Sequence, residues 1–418
     1  MLHSNSSSAA PAITPRMMWG AVALLWVAYF LNYIDRQSVF SIFPALKSEL
    51  HFTNTQLGLV GSIFTWVYSI CMAVSGRAAD RFRRDRLIVV SLVLWSMATL
   101  GTALSHSVTS FLVWRAVMGV TESLYVPAAL SLIASLHGTA TRSRALGLHM
   151  TAQIAGIMAG GWYGGWAADH IGWRSGFAIL AAVGVAYAVV MFGSFRMLPE
   201  VRLARTPAPG SVAQVLGSDC FTGLLVAFFA YCVMLWMFYA WLPNFIYERY
   251  QLSMTDSGFT ATAYLQGSTA LGILSGALFA DRMVARVRAV RLYLVGAGVL
   301  LSAPFAWIAF ESHSLWIMKL ASIGFGFFGG WLMANIFAAA YDVIATENYG
   351  LGAGVLNLFG GLAGGTSVFV AGYLKSTIGI ATLMLGASTS AAASGLLLIA
   401  IARFRFPKED ALATEHAN

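Results

Sequence analysis

The chain has 418 residues, of which 58% are hydrophobic and only 10% are charged, and its formal net charge is +8. Soluble domains have roughly 25% charged residues. This composition, with a mean hydropathy of +0.73, therefore excludes a soluble globular enzyme and predicts a polytopic membrane protein. The cysteines, Cys71, Cys220 and Cys232, are too scattered for a metal or disulfide pattern.

Twelve apolar segments follow one another along the chain, which predicts an all-α membrane protein with twelve transmembrane helices. The longest connection is rich in proline and arginine and predicts a linker between two six-helix bundles. The predicted spans are residues 17–43, 55–76, 87–105, 109–136, 144–167, 176–195, 221–246, 256–280, 289–309, 314–340, 350–373 and 381–403. The predicted divisions are an N-terminal tail (1–15), a first bundle (16–195), a linker (196–220), a second bundle (221–405) and a C-terminal tail (406–418).

Lysine and arginine are distributed unequally between the two sets of loops. The loops after spans 2, 4, 6 and 8 and both tails are rich in arginine, whereas the opposite loops contain few basic residues. Because basic loops stay in the cytoplasm, we expect both termini, the tails and the linker to be cytoplasmic. This distribution explains the basic charge without nucleic acid as a partner, and the default location is a bacterial cytoplasmic (inner) membrane.

The two halves of the chain resemble each other. An Asp-Arg pair follows span 2 (Asp80-Arg81) and another follows span 8 (Asp281-Arg282). Span 5 contains a polar amide residue followed by three glycines, and span 11 contains the same pattern at a constant offset. An Ile-Gly pair follows the pattern in both spans. Internal repeats of this kind are typical of secondary transporters, whose binding site lies between two bundles that rock about it. The repeated residues are Gln153, Gly156, Gly160 and Gly161 with Asn357, Gly360, Gly364 and Gly365, and Gly172 with Gly379.

Span 1 contains an acid and a base, Asp35 and Arg36, in the sequence Asn-Tyr-Ile-Asp-Arg, with apolar residues on both sides. Ionisable groups within a membrane helix cost roughly 2.5–3.5 kcal/mol each on insertion scales, so they usually face a cavity and mark a transport pathway. A static internal ion pair, or side chains that reach the membrane surface, would be the structural alternative.

Span 4 contains Arg115, Gly119 and Glu122, which lie on one helical face at i, i+4 and i+7. The loop after span 2 contains Gly76, Asp80, Arg81 and Arg84. There an aspartate can meet a helix N-terminus and neighbouring arginines, and so hold one conformation at the cytoplasmic side. A plain basic cluster would explain the arginines alone.

The loop from Gly76 to Arg84 and the Arg-x-x-x-Gly of span 4 resemble signatures of the major facilitator superfamily. With Asn-Tyr-x-Asp-Arg in span 1, the chain is similar to its anion:cation symporter branch and to the related Spinster-like lipid transporters. The resemblance implies two pseudo-symmetric bundles and alternating access. It also implies that Asp35 and Glu122 carry protons and that Arg36 binds substrate or switches. Of the two charged residues in span 4, Arg115 is expected to be the more structural one. Glu122 and Arg115 as a static pair between helices is the alternative.

The same resemblance implies that Tyr68 and Gln153 line a substrate cavity, and Asn357 is the best candidate in the second half because it is the repeat mate of Gln153. A phenol and amides offer directed hydrogen bonds to hydroxyl or carboxylate groups. Polar and aromatic side chains in membrane helices also serve in packing. Weaker candidates are Gln266, Asn335, Trp236 and Tyr239, and His149 is a possible relay or a packed histidine.

The function expected is therefore proton-coupled symport of a small organic anion, such as a sugar acid or other carboxylate, by a monomer that is not an enzyme. The proton is the coupling ion, and no other cofactor or metal is expected. The alternative is a Spinster-like carrier of lysophospholipid or another amphiphile, which would suit the aromatic residues of span 7. A transporter-like sensor without net flux is a third possibility.

Overall fold

The computed structural model describes residues 14–196 and 211–406, and every regular element within them is helical. Most of each predicted tail and most of the predicted linker lie outside these residues, as do the side chains at 73, 77–80 and 139. The helices are α1 (Pro15–Ser41), α2 (Phe43–Leu50), α3 (Asn54–Arg81), α4 (Arg84–Ala103), α5 (Val108–Ser123), α6 (Tyr125–Leu136), α7 (Thr139–His170), α8 (Trp173–Phe195), α9 (Val212–Leu216), α10 (Asp219–Tyr250), α11 (Met254–Met283), α12 (Val290–Glu311), α13 (Leu315–Tyr341), a 3₁₀ turn (Thr346–Asn348), α14 (Tyr349–Leu374) and α15 (Ile380–Phe404).

Ten helical segments of the described residues are long and apolar enough to cross a membrane, and α5 and α6 together make one of them. The other two predicted spans correspond to α7 and α11, which are 32 and 30 residues long. Both helices have glycines and polar residues where they pack against other helices, and this lowers their hydropathy without shortening them. Gly161 of α7, for example, approaches α11 so closely that a Cβ atom there would lie 2.7 Å from the Gly258 carbonyl oxygen.

The backbone confirms the internal repeat. Gly172 before α8 and Gly379 before α15 both have positive φ angles, 80° and 85°, where side chains other than glycine are strained. His51 after α2 and Gln251 after α10 share a φ of 55°. Matching turns therefore precede matching helices in the two halves, as expected for two pseudo-symmetric bundles.

The halves pack against each other through α3 with α14, α7 with α11, and α1 with α10. Small residues allow these contacts: a Cβ atom on Gly58 of α3 would lie 2.9 Å from the Val368 carbonyl oxygen of α14. The Ser62 hydroxyl also donates to the Gly365 carbonyl at 2.6 Å.

The helix ends on one side of the molecule bear most of the arginines, and we call this side the basic end; the other is the Lys47 end. Hydrogen bonds and ion pairs join the halves at the Lys47 end, where Glu248 contacts Lys47 (3.4 Å) and Lys375 (2.6 Å). Asp169 also accepts a hydrogen bond from the Thr255 backbone there, at 2.8 Å. We call Glu248 with its two lysines the Glu248 clamp. Burial lowers the pKa of the Lys375 ammonium group, although the hydrogen bond to Glu248 opposes this fall.

Candidate functional site

The acid and base of the first span lie deep in the first bundle. Asp35 and Arg36 are 3% and 8% exposed, because α1 packs closely on α7 at Gly156 and Gly160, where a Cβ atom would come within 2.6 Å and 2.7 Å of α1. One oxygen of Asp35 accepts a hydrogen bond from the Thr99 hydroxyl of α4. These charges are therefore enclosed by protein at mid-helix.

Arg36 forms an ion pair with Glu122 of α5, with 2.5 Å between Nε and Oε2. Its guanidinium carbon also lies 4.2 Å from the centre of the Tyr68 ring and 5.0 Å from those of Tyr33 and Phe64. A guanidinium this close to aromatic faces gains cation–π attraction. Three helices, α1, α3 and α5, thus combine to hold one cation.

Arg115 is also completely buried, but it contacts other groups. Its Nε donates to the Val60 carbonyl of α3 at 3.3 Å, and its guanidinium carbon lies 4.6 Å from the Phe64 ring centre. Gly119 makes this possible, since a Cβ atom there would lie 2.8 Å from the Phe64 carbonyl oxygen. The geometry therefore pairs Glu122 with Arg36 and directs Arg115 toward the backbone of α3.

The cluster contains two carboxyl groups and two guanidinium groups, so its charges balance when all four are ionised. Among the described residues, several polar atoms of this cluster and of the nearby Asn32 have no hydrogen-bond partner: Asp35 Oδ1, Arg36 Nη2, Arg115 Nη2, Glu122 Oε1 and both side-chain polar atoms of Asn32. Leaving such groups unsatisfied costs about 1–3 kcal/mol each, and more for charged groups. This is therefore the part of the site where water or polar ligand atoms would be bound most favourably.

The other predicted substrate-contacting residues lie at different distances from this cluster. Tyr68 contacts Arg36 directly. Gln153 is half-buried on α7, one turn from Gly156, on the face that meets α1. Asn357 is exposed on α14 and donates to the Ala353 carbonyl of its own helix at 2.9 Å. Gly361, one turn further along α14, is the position that lies against Ser69 of α3. Asn357 is therefore one turn closer to the basic end than this contact between the halves.

Among the weaker candidates, Gln266 and Tyr239 contact each other, and Tyr239 also contacts the first bundle. The Gln266 amide donates to the Tyr239 hydroxyl at 2.8 Å, and Gln37 of α1 donates to the Tyr239 carbonyl at 3.3 Å. Asn335 instead donates to the Trp331 carbonyl at 2.9 Å, within α13. His149 is buried and stacks on Tyr29 with 4.7 Å between ring centres.

The aromatic residues of the seventh predicted span are mostly core residues. Met234, Phe238 and Trp241 are buried, and Phe238 stacks on Phe325 with 4.6 Å between ring centres. Trp236 lies against α14 at Gly364. Packing therefore accounts for these side chains, and they give no support to a wide apolar cavity.

The predicted latch after the second span is described only in part. The Asp80 side chain lies outside the described residues, Arg81 is exposed and Arg84 is half-buried. Gly76 has open space where a Cβ atom would stand. At the end of the same loop, where α4 begins, Arg83 and Asp85 form an ion pair of 3.0 Å.

Sequence inspection missed Thr99 and Gln37, which supply the hydrogen bonds to Asp35 and to Tyr239 of the second half. Thr99 lies in an apolar helix and also contacts its own helix backbone at Trp95, 3.0 Å away. Threonine is common in such positions, so it gave no signal. Gln37 lies directly after Asp35-Arg36, and its adjacency to the charged pair was the available clue.

Known proteins with similar sequences are transporters. The chain is 25% identical to "Probable galactarate/D-glucarate transporter GudP" of Bacillus subtilis, over 91% of each chain. It is 22% identical to "D-galactonate transporter" of Escherichia coli O6:H1, over 92% of this chain and 95% of the relative. It is also 27% identical to "Probable sulfoacetate transporter SauU" of Cupriavidus necator, over 88% of each.

Solved structures share the fold. A bacterial homolog of the human lysosomal transporter Spinster, in an inward-facing and unoccupied conformation, superposes with a TM-score of 0.77 at 18% identity. The match covers 95% of this chain and 98% of that one. The sequence model that describes the Major Facilitator Superfamily as a family matches residues 25–368 of this chain. The chain therefore belongs to the Major Facilitator Superfamily, in agreement with the resemblance found in its sequence.

Proposed function

We propose that the protein is a proton-coupled symporter that carries a small organic anion, a sugar acid or another carboxylate, across a bacterial cytoplasmic membrane. The observation that carries this proposal is the buried, charge-balanced cluster of Asp35, Arg36, Arg115 and Glu122. The curated relatives with similar sequences are named for sugar acids and sulfoacetate, all of which are organic anions.

The charge balance of this cluster would couple proton uptake to binding of the substrate anion. When Asp35 or Glu122 takes up a proton, the cluster acquires one net positive charge in surroundings where a charge is poorly solvated. Protonation of Glu122 also weakens its ion pair with Arg36. A substrate carboxylate at Arg36 then restores neutrality, so proton and anion bind better together than separately. This reciprocity is a coupling free energy between two ligands.

The contacts between the halves suggest how access alternates. The Glu248 clamp and the Asp169–Thr255 hydrogen bond join the halves at the Lys47 end. Because arginine-rich loops remain in the cytoplasm, the basic end is the cytoplasmic end in this proposal, and both termini lie there. The state described is then closed to the outside, and transport by a monomer requires the clamp to open.

Ligand binding tests the proposal. Purified protein is screened by thermal shift against galactonate, glucarate, dicarboxylates and lysophospholipids at pH 5.5 and 7.5. A ligand that binds the folded state stabilises it by RT ln(1 + [L]/Kd), about 2.7 kcal/mol at a hundredfold excess over Kd. We expect a shift with a sugar acid or related carboxylate that is larger at pH 5.5.

A double variant, Arg36→Ala with Glu122→Gln, keeps the buried charges balanced while it removes the proposed anion contact. The expected result is a folded protein without the carboxylate shift. A shift given only by lysophospholipids would contradict the proposal and favour a Spinster-like carrier of amphiphiles.

A further inference from the structure

A groove separate from the proposed transport site lies at the basic end, between the start of α4 and the end of α8. Its volume is about 360 Å³, and its lining includes Arg83, Asp85 and Arg86 on one side and Phe192 and Arg196 on the other. The two helices run antiparallel and pack closely below it, where a Cβ atom on Gly184 would contact Ser96. The groove is therefore bounded by two firmly packed helices.

The groove has a net positive charge. Among the described residues that line it, three guanidinium groups face one carboxyl group, which leaves a balance of +2. Asp85 receives hydrogen bonds from Arg83 on both of its oxygens, at 3.0 Å and 3.3 Å. Arg86 is exposed, and the Arg196 guanidinium carbon lies 4.3 Å from the Phe192 ring centre. The positive end of the α4 dipole adds to this field.

An exposed apolar stripe continues from the groove along α4. Val90, Leu94 and Met97 follow Arg86 at i+4, i+8 and i+11, so they share its helical face. All three are exposed in a helix that is apolar enough to span a membrane. A membrane-spanning helix presents such a stripe to acyl chains, and this orientation would place the arginines at the level of the lipid headgroups.

A second groove of similar size offers a contrast. It lies between α10 and α15 and has a volume of about 400 Å³. Its lining includes Asp219, Thr222 and Arg405 among mostly apolar residues. Asp219 and Arg405 form an ion pair of 3.4 Å, so their charges cancel. The two grooves have similar volumes and both lie at helix ends. They differ in charge, because among the described lining residues only the α4/α8 groove has an excess of guanidinium groups.

We propose that the α4/α8 groove binds the headgroup phosphate of an anionic phospholipid, such as phosphatidylglycerol, with the acyl chains along the α4 stripe. Basic pockets between membrane helices on the cytoplasmic side are suited to anionic headgroups. Arg86 and Arg196 supply guanidinium donors for the phosphate oxygens, a geometry that guanidinium groups match well. A zwitterionic lipid gains less because its own ammonium opposes the field.

Native mass spectrometry of the delipidated full-length protein tests this site. Phosphatidylglycerol and phosphatidylethanolamine of the same acyl composition are added at equal concentration to wild type and to the variant Arg86→Gln with Arg196→Gln. We expect wild type to retain phosphatidylglycerol preferentially, and the groove variant to bind it about tenfold more weakly. Binding of phosphatidylethanolamine should not change.

The matched control removes two exposed arginines of the basic end that lie outside both grooves, Arg144→Gln with Arg403→Gln. This variant loses the same net charge and should keep its preference for phosphatidylglycerol. An equal loss in the control, or no preference in wild type, would overturn the proposal. Displacement of the lipid by inorganic phosphate at equal concentration would also overturn it, because the groove would then be a site for free anions.

Discussion

At the scale of single residues, the buried charges of the first bundle depend on one another. Asp35, Arg36, Arg115 and Glu122 come from α1 and α5, and each is almost fully enclosed. A charge in such surroundings is tolerated because opposite charges and hydrogen bonds compensate it. The consequence is that single substitutions should cost more than combinations that preserve the balance.

Arg115→Gln leaves two carboxyl groups with one guanidinium group. We expect this change to lower the free energy of unfolding by about 3 kcal/mol, because a buried charge loses its compensation. Reversible unfolding of the purified protein in detergent measures it at pH 7.5.

The double variant Arg115→Gln with Asp35→Asn serves as the control. It restores equal numbers of positive and negative groups, so it should recover much of the lost stability. If the effects of the two single substitutions simply added, the charges would not form a coupled cluster.

The sequence identified the charged residues of this cluster but could not supply their partners. Charges within apolar spans are conspicuous because they are expensive there. The pairing of Arg36 with Glu122, however, joins residues 86 positions apart and depends on where the packing of the bundle places α1 relative to α5. The role of Thr99 could not be predicted for a different reason. A threonine hydroxyl can donate a hydrogen bond to a carbonyl of its own helix, as Thr99 does to Trp95, and therefore needs no partner on another helix.

At the scale of elements, glycines decide how closely the helices approach. Gly119 of α5 lies against α3, and a Cβ atom on this residue would stand 2.8 Å from the Phe64 carbonyl oxygen. The same contact holds Arg115 near the Val60 carbonyl. Helix spacing and the position of a buried charge are therefore determined together.

Gly119→Ala should push α5 away from α3 and lower the free energy of unfolding by about 2 kcal/mol, within the usual range for overpacking. Gly147→Ala is the matched control, because a Cβ atom at that helical position meets nothing within 4 Å. The control should be neutral or slightly stabilising, since alanine favours helices over glycine. Equal effects on the melting temperature would contradict close packing at Gly119.

Long apolar helices were predictable from hydropathy, and ten helical segments of the described residues meet that criterion, but the breaks within the predicted spans were not predictable. The predicted span 109–136 is divided at Leu124 into α5 and α6. Pro127 explains the break, because its ring conflicts with the carbonyl of Ser123, four residues earlier. Pro243 and Pro304 nevertheless lie inside continuous helices. The presence of a proline in the sequence therefore does not by itself predict that a helix ends there.

At the scale of the whole molecule, the two halves are held together at the Lys47 end by the Glu248 clamp. Glu248 belongs to the second half and contacts Lys47 of the first as well as Lys375 of its own. Ser41 of the first half is buried nearby, and a Cβ atom on Gly258 of the second half would lie 2.6 Å from its hydroxyl oxygen. Its accessibility therefore reports whether this end is closed.

Glu248→Gln should open this end more often, because partly exposed ion pairs contribute up to about 1 kcal/mol. With Ser41→Cys in a chain whose three native cysteines are replaced by serine, the introduced thiol should then react about two- to fivefold faster with a maleimide. The measurement is the labelling rate of the purified protein.

Arg174→Gln is the matched control for the clamp. It breaks an ion pair of 2.6 Å with Glu49 at the same end, but within one half. The labelling rate should stay unchanged in this variant. An increase in the control, or none in Glu248→Gln, would show that the clamp does not hold the halves together.

The repeat of the two halves was visible in the sequence because strained turns demand glycine, as at Gly172 and Gly379. The conformation could not be predicted, since one sequence can form more than one arrangement of the two halves. Which end is joined depends on small differences in free energy between states, and the sequence pattern does not encode these differences in a readable form.

Uptake into proteoliposomes under an imposed pH gradient tests proton coupling most directly. One pH unit is equivalent to about 1.4 kcal/mol, so each coupled proton permits up to about tenfold accumulation of the anion. We expect wild type to concentrate galactonate or glucarate when the outside is acidic, and Asp35→Asn to exchange substrate without concentrating it. Concentrative uptake that Asp35→Asn retains, or wild-type uptake that ignores the gradient, would contradict proton-coupled symport.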